Sequence, residues 1–420
     1  MKLDYQKKFL ALESQGPFSS LHDEDKTFIK EKAFEFYLSF QELMMLATWA
    51  QDLRLWQEGN LQGLWPKEKL LKKDLFIFLK KSYDEIKNQK KDYATFLPQK
   101  KNFREIKIAQ TPFEDKILGL CPVASEKTRC CNLQTLDAAR NCGFDCSYCS
   151  IQSFYHDDTV LIDKNLKEKL QNLLLDPEKI YHIGTGQSSD SLMWGDKEGI
   201  LTALVEFAKK NPNVILELKT KSANVAELLA LRPPRNVIVT WTLNTETIIK
   251  NEEFLTASLK ERLNAARLVS DAGQLVGFHF HPMVYYKDFE KDYADVAKKV
   301  LTLFKPEEVA LLSLGTLTYT KSVMNKIRKR GMQSKILQMP FDEIAGKFSY
   351  PREIKVLLFK NLFEALSFWK DKVYFYMCME DPSLWKEVFG FEYQNNDEFE
   401  FKMKKAYLEK INEFPIKSKI

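Results

Sequence analysis

The sequence predicts an α/β protein built on a partial (β/α)6 barrel of the TIM type, with a helical domain before it and a mostly helical extension after it. Three observations carry this. Six short β-rich runs alternate with amphipathic stretches of roughly 10–18 residues, the pattern of repeated βαβ units and a parallel sheet. Runs such as VILEL at 214–218 and NVIVTWTL at 236–243 are nearly continuous in apolar residues, as strands covered on both faces are. On either side of this region apolar residues recur at three- and four-residue spacing, the helical period.

Composition bounds the rest. A chain of 420 residues, 45% hydrophobic and 29% charged, is ordinary for a soluble globular protein and long enough for a large core. No apolar run reaches the roughly 18–20 residues of a membrane helix. The opening MKLDYQKKFLALESQG contains acids and lacks an apolar core, so it does not read as a secretory signal, and cytoplasmic residence is the expectation. The net charge of +5 permits an anionic partner such as nucleic acid without arguing for one.

In chain order, residues 1–108 read as a helical domain. Asp25–Trp49 and Leu70–Ile86 carry its apolar stripes, and Trp49, Trp56 and Trp65 are expected to close a small aromatic core. The barrel is expected over 109–345. Its strands are the segment before the cysteine loop, then Lys179–Thr185, Val214–Lys221, Asn236–Asn244, Leu275–Tyr285 and Glu307–Tyr319. A full eight-fold barrel needs more strands than these six. The extension, 346–420, holds helices at Glu353–Trp369 and Lys402–Ile411 with a short β-like run, Val373–Met379, between them.

The chemistry concentrates in cysteine. Six of the seven lie between 121 and 149, and Cys378 stands alone downstream. Cys142, Cys146 and Cys149 form a C-x3-C-x2-C pattern in a tight loop with Gly143. Three thiolates in this arrangement hold three irons of a 4Fe–4S cluster and leave the fourth iron open. The competing reading is a structural zinc site that adds Cys121, Cys130 or Cys131 as a fourth ligand, although zinc fingers usually pair two C-x2-C knuckles and this loop has one. Cys121, Cys130, Cys131 and Cys378 are candidates for an auxiliary metal site, against the alternative of buried free thiols. His279 and His281 alternate with Phe278 and Phe280 and share one face of their strand. Lys219 is expected to be a surface lysine, and the run Lys326–Arg330 a solvated face or a phosphate grip.

The cysteine loop resembles that of the radical S-adenosylmethionine (SAM) enzymes, whose open iron takes the amino and carboxylate groups of SAM. The resemblance implies that Tyr148 lies by the adenine and that Gly184 and Gly186, in Gly-Thr-Gly after the second strand, receive the methionine end; the acid of the usual Gly-Gly-Glu is missing. A closer resemblance covers roughly 117–345. The order of the cysteine loop, Gln187-Ser188-Ser189-Asp190, Leu218-Lys219-Thr220-Lys221-Ser222, Trp241-Thr242-Leu243-Asn244 and Val276–Met283 is similar to the spore photoproduct lyase family, radical SAM enzymes that split a thymine dimer lesion in DNA. That resemblance implies SAM contacts at Ser189, Asp190, Lys221 and Thr242, with Asn244 nearby, and an electron donor of the flavodoxin or ferredoxin type.

Three departures stand beside it. The family's hydrogen-donor cysteine, two residues before its Ser-Asp pair, is Gln187 here; Cys378, Cys130, Cys131 or Tyr285 would have to replace it. The segment Gly346–Arg352 is less basic than the family's DNA-side loop. The helical domain is longer than these lyases usually carry. Alternatives to DNA repair are therefore a radical SAM enzyme with a non-DNA substrate, a non-catalytic iron–sulfur protein, and a nucleic-acid-binding protein that uses the basic patches.

Overall fold

The structure, a computed structural model, describes residues 5–6, 9–10, 16–99, 106–114, 116–121, 127–151, 158–344 and 346–414. The chain divides into two compact units, Met1–Lys101 with Tyr319–Ser349, and Asn102–Thr318 with Tyr350–Ile420.

The first unit is helical. The expected Asp25–Trp49 helix is two helices, Asp23–Phe36 and Phe40–Trp56. Tyr37 turns left-handed (φ 47°), and Ser39 restarts the chain with a capping box in which its side chain accepts from the Glu42 N–H. The Tyr83 ring of helix Lys72–Asn88 lies 5.4 Å from both Trp49 and Trp56, and Trp65 meets Phe28 at 5.1 Å. The segment Tyr319–Ser349, expected with the barrel, belongs to this unit for an electrostatic reason. Asp52, fully buried, accepts from Tyr83 Oη (2.6 Å) and from Arg328 Nε and Nη2 (2.6 and 3.1 Å). Lys335 Nζ reaches Glu58 Oε1 (2.6 Å) and the Trp56 carbonyl (3.0 Å). A buried carboxylate needs such donors, so Arg328 turns inward out of the basic run.

The second unit is an eight-stranded sheet. Its strands are β1 (Leu118–Leu120), β2 (Gln134–Leu136), β3 (Tyr181–Thr185), β4 (Val214–Thr220), β5 (Val237–Thr242), β6 (Val276–Met283), β7 (Val309–Thr316) and β8 (Tyr374–Met377). They pair in sequence order, β1 antiparallel to β2 and the rest parallel. Six of them, β2–β7, are the expected strands. The β-like run of the extension joins the sheet as β8, and β1 adds the other edge. Helix Ile200–Lys210 packs on β4, and Leu259–Asp271 packs on β5 and β6.

Alternation along the strands separates two faces. Register places Lys219 beside Thr240, Thr242 beside His279, His279 beside Ser313, and Ser313 beside Tyr376. This polar face lines the lumen, while Leu216, Leu218, Trp241, Phe278 and Leu314 on the other face are buried. At the edges of the sheet the chain entering β2 meets the chain leaving β8: Arg129 forms an antiparallel bridge to Glu380, its N–H donating to the Glu380 carbonyl at 3.0 Å. The last helix, Asn396–Glu413, presents Phe399, Met403, Tyr407 and Ile411 as a buried stripe at four-residue spacing. That stripe covers the lumen, with Tyr407 5.4 Å from His182 and Phe399 5.7 Å from Tyr376. Among the described residues no helix is long and apolar enough to cross a membrane.

Candidate active site

The cysteine loop lies between β2 and β3. Asn141, left-handed at φ 68°, anchors its start through Nδ2 to the Thr159 carbonyl (3.0 Å), and its Oδ1 accepts the Cys142 N–H at 2.8 Å. Cys146 pairs antiparallel with Glu253, and the Ser147 N–H donates to the Glu252 carbonyl at 2.8 Å. Gly143 packs against the turn after β3: a Cβ there would lie 2.5 Å from the end of the Met193 side chain and 2.8 Å from the Trp194 ring, so those side chains would have to shift. The loop is thus seated on the turn after β3.

That turn is built around Asp190. Its Oδ1 accepts from the Leu192 and Met193 N–H groups (3.0 and 2.9 Å) and from Thr220 Oγ1 (2.6 Å), and its Oδ2 accepts from the Lys221 N–H (2.7 Å). Four hydrogen bonds hold its carboxyl down, yet burial outweighs them and carries it above the usual range. Asp190 therefore ties the turn to the end of β4, a positioning role beyond the ligand contact expected of it. Ser189 Oγ accepts from Trp194 Nε1 at 3.1 Å. Gly186 sits at φ +85° with only 2.6 Å between a hypothetical Cβ and the Lys219 carbonyl, a place for glycine alone. Gly184 has ordinary φ and packs against Leu133.

Glu253 organises the other side, and sequence reasoning missed it. The fully buried Arg262 donates from Nη2 to Glu253 Oε2 (2.5 Å) and to Thr256 Oγ1 (2.7 Å), from Nη1 to the Thr242 carbonyl (2.8 Å), and from Nε to the Ala257 carbonyl (2.8 Å). Glu253 Oε1 accepts from Tyr148 Oη (2.5 Å) and Asn244 Nδ2 (3.3 Å). Asn244 also donates to the Pro282 carbonyl and accepts from Tyr293 Oη. Burial works against the Glu253 charge, but the Arg262 and Lys221 cations beside it hold its carboxyl below the usual range. Lys221 Nζ stands 5.7 Å above the Tyr148 ring. Burial disfavours its charge too, and Cys146, Glu253 and Cys149 restore it and more. Arg262 was legible as a signal: it sits on the apolar stripe Leu259, Leu263, Ala266, Val269, where a cation needs a buried partner.

The three thiols lie within each other's electrostatic reach. Burial pushes Cys142 up, with Asp190, Cys149 and Cys146 adding to it; burial also raises Cys146, to about 12, against the pull of Lys221. Among the described residues no three His, Cys, Asp or Glu side chains converge on a single ion, the arrangement a structural zinc requires. Thiolates of a 4Fe–4S cluster each take a different iron and need no common point. The donor set, three thiols beside a cation, suits such a cluster.

The remaining cysteines meet at the seam of the sheet. The Arg129–Glu380 bridge brings Cys131 opposite Cys378, and the Cys121 N–H donates to the Leu133 carbonyl in the β1–β2 hairpin. A Cys131 S–H beside it draws the Cys130 thiol down to about 6, whereas burial pushes Cys378 up to about 12. Tyr285 follows β6, its N–H bonded to Tyr350 Oη (3.1 Å) and its ring 5.3 Å from Phe289. Both histidines of β6 face the lumen: His279 Nε2 lies 2.6 Å from Glu217 Oε1, and His281 Nε2 lies 2.8 Å from Ser313 Oγ. His182 Nε2 takes the other Glu217 oxygen at 2.8 Å. Burial keeps His279 neutral, lowered to about 4, so its ring donates Nε2–H to the carboxylate.

The sequence model of the spore photoproduct lyase family matches residues 116–356, more than half of the chain. The chain belongs to the spore photoproduct lyase family. A spore photoproduct lyase of Clostridium acetobutylicum is 30% identical over 152 residues, which are 36% of this chain and 44% of that protein. The chain thus spans less than half the length of this curated lyase. Among solved structures, a spore photoproduct lyase double mutant with bound AdoMet and dinucleoside spore photoproduct superposes with a TM-score of 0.55 at 19% identity, covering 64% of this chain and 82% of that one. A spore photoproduct lyase complexed with dinucleoside spore photoproduct gives the same values. These likenesses establish the fold, a curled half-barrel sheet.

Proposed function

We propose that this family member is a radical SAM enzyme, with Cys142, Cys146 and Cys149 holding a 4Fe–4S cluster. The observation that carries the reading is the junction of three thiols in mutual reach with Lys221 on one side and the Asp190 turn on the other. When bound there, the cluster and SAM together supply a 5′-deoxyadenosyl radical. The residues of the chain bind, orient and shield. Gly186 lets the backbone approach a ligand closely, with Gly184 beside it; Ser189 and Asp190 shape the turn; Lys221 offers a cation to a carboxylate; Thr242 and Asn244 line the rim; and Tyr148, braced by Glu253, presents its ring to an adenine. The buried walls exclude water from a reactive radical.

Substrate and product follow from the family and from one substitution. The related structures hold a dinucleoside photoproduct, which supports a pyrimidine dimer in DNA as substrate. Gln187 stands where the family carries its donor cysteine, which favours a second reading, radical chemistry on a different, non-DNA substrate. In either case we assign the hydrogen-atom donor to Cys378, whose thiol shares the lumen with Lys219, ahead of Tyr285. An electron donor of the flavodoxin or ferredoxin type would reduce the cluster in a reducing, cytoplasmic setting. Cys121, Cys130, Cys131 and Cys378 together are the candidate ligands of a second iron–sulfur cluster, an alternative that takes the Cys378 hydrogen and leaves the donor role to Tyr285. The helical unit takes Tyr319–Ser349 in addition to the N-terminal region, and the C-terminal extension completes the barrel unit with β8 and the last helix.

Anaerobic iron and sulfide analysis tests the assignment. The Cys142/Cys146/Cys149 triple alanine variant should lose all iron if one cluster is present, or about half if the seam cysteines hold another. Wild-type iron content in that variant would refute the assignment.

A further inference from the structure

The lumen contains a lysine that forms no hydrogen bond and no ion pair among the described residues. Lys219 extends from β4 on the polar face, and among the described residues its ammonium has no hydrogen bond and no ion pair. The carboxylate nearest on the same strand, Glu217, is fully engaged: Oε1 accepts from His279 (2.6 Å) and Thr240 Oγ1 (2.8 Å), and Oε2 from His182 (2.8 Å). The other neighbours of Lys219 within electrostatic reach are the Cys378 and Cys121 thiols, Lys221 and the two lumen histidines. Among the described residues none of these hydrogen-bonds or ion-pairs with Lys219, and burial keeps both His279 and His281 neutral. The main chain beneath is rigidly held, since the Lys219 carbonyl accepts the Ser191 N–H at 3.1 Å directly under the Gly186 turn.

A half-buried ammonium with three donors, no bonded acceptor among the described residues and a neighbouring carboxylate whose oxygens are already engaged is a poor structural element and a good ligand anchor. It also stands apart from Lys221, which faces the cysteine loop and the Tyr148 ring. We propose that Lys219 anchors an oxyanion of the substrate, a phosphate or a carboxylate, inside the barrel lumen. This deepens the radical-enzyme reading by naming the class of substrate it takes. Such a group would come to rest between Lys219 and the Ser313–His281 pair on the facing strands, beside the seam thiols.

The test uses the full-length, iron-reconstituted protein at constant ionic strength and follows thermal stability against three probes: inorganic phosphate, thymidylyl-(3′→5′)-thymidine and acetate. Wild type should show a saturable rise in Tm with at least one. Lys219→Met should weaken that response about 10-fold or more, as loss of a charged hydrogen-bond donor does. Without any anion, Lys219→Met should be at least as stable as wild type, because it removes an unanswered charge; Lys219→Gln provides a second variant with the same expectation. A response to phosphate or the dinucleotide identifies a phosphate substrate, and a response to acetate alone a carboxylate. The proposal is overturned if no probe stabilises wild type, if both variants respond like wild type, or if both are less stable than wild type without anion. It is equally overturned if the variants lose SAM binding in place of anion binding. Formation of 5′-deoxyadenosine by wild type is measured separately, so failure of the radical reading is distinguishable from failure of this one.

Discussion

The Arg262–Glu253 pair offers the sharpest test of how the cysteine loop is held. Both side chains are 0% exposed and their nearest atoms lie 2.5 Å apart. Arg262→Leu keeps the bulk of the side chain but leaves Glu253 buried beside Tyr148 with no arginine, and it strands the Thr242 and Ala257 carbonyls. Removing one partner of a buried pair costs about 3–5 kcal/mol. At about 2 °C per kcal/mol for a unit of this size, Tm should fall by roughly 6–10 °C. Arg262→Leu with Glu253→Leu should recover part of the loss, since the second change removes the stranded charge. Calorimetry of wild type, both single variants and the double variant gives the coupling directly. A loss below about 1 kcal/mol for Arg262→Leu, or no recovery in the double variant, would refute the reasoning.

Three further outcomes follow. Gly186→Ala places a Cβ against the Lys219 carbonyl at positive φ, so it should destabilise by about 1–3 kcal/mol and weaken SAM binding, measured by equilibrium dialysis. His279 is lowered to about 4 when folded and titrates near 6.5 when unfolded, so the unfolded chain binds more protons between those values. Stability should therefore decline as pH falls from about 6.5 to 4, and His279→Gln should flatten that slope in urea titrations. In the helical unit, Arg328→Leu leaves the buried Asp52 carboxylate with Tyr83 alone and should cost about 3–5 kcal/mol by chemical denaturation, whereas Lys329→Leu, outside that pair, should change stability by under about 1 kcal/mol.

The parts of this protein that were legible in the sequence are those with a local signature. The cysteine spacing, the apolar strand runs and the glycines after β3 each impose a pattern within ten residues. The break at Tyr37 was missed although it has a local signal, the capping box that Ser39 and Glu42 spell inside the expected helix. What escaped depends on distant pairing. Glu253 becomes a hub only because Cys146 pairs with it and Arg262 folds back onto it. Lys321–Lys329 has the same helical period as the barrel helices, and only Asp52, far away in sequence, draws its Arg328 into the helical unit. Lys219 could not be assigned a face from alternation alone; the register with Thr240 and the field of Cys378 assign it to the lumen. The charged Glu217 inside VILELKT was the visible hint that this face is polar.

The central claim is that the Cys142–Cys149 loop and its surroundings generate a radical from SAM. Anaerobic incubation of the reconstituted protein with dithionite and SAM tests it most directly. The account predicts 5′-deoxyadenosine from wild type and none from the Cys146→Ala variant. Wild-type protein that carries its full iron and sulfide complement, yet yields no 5′-deoxyadenosine, would contradict it.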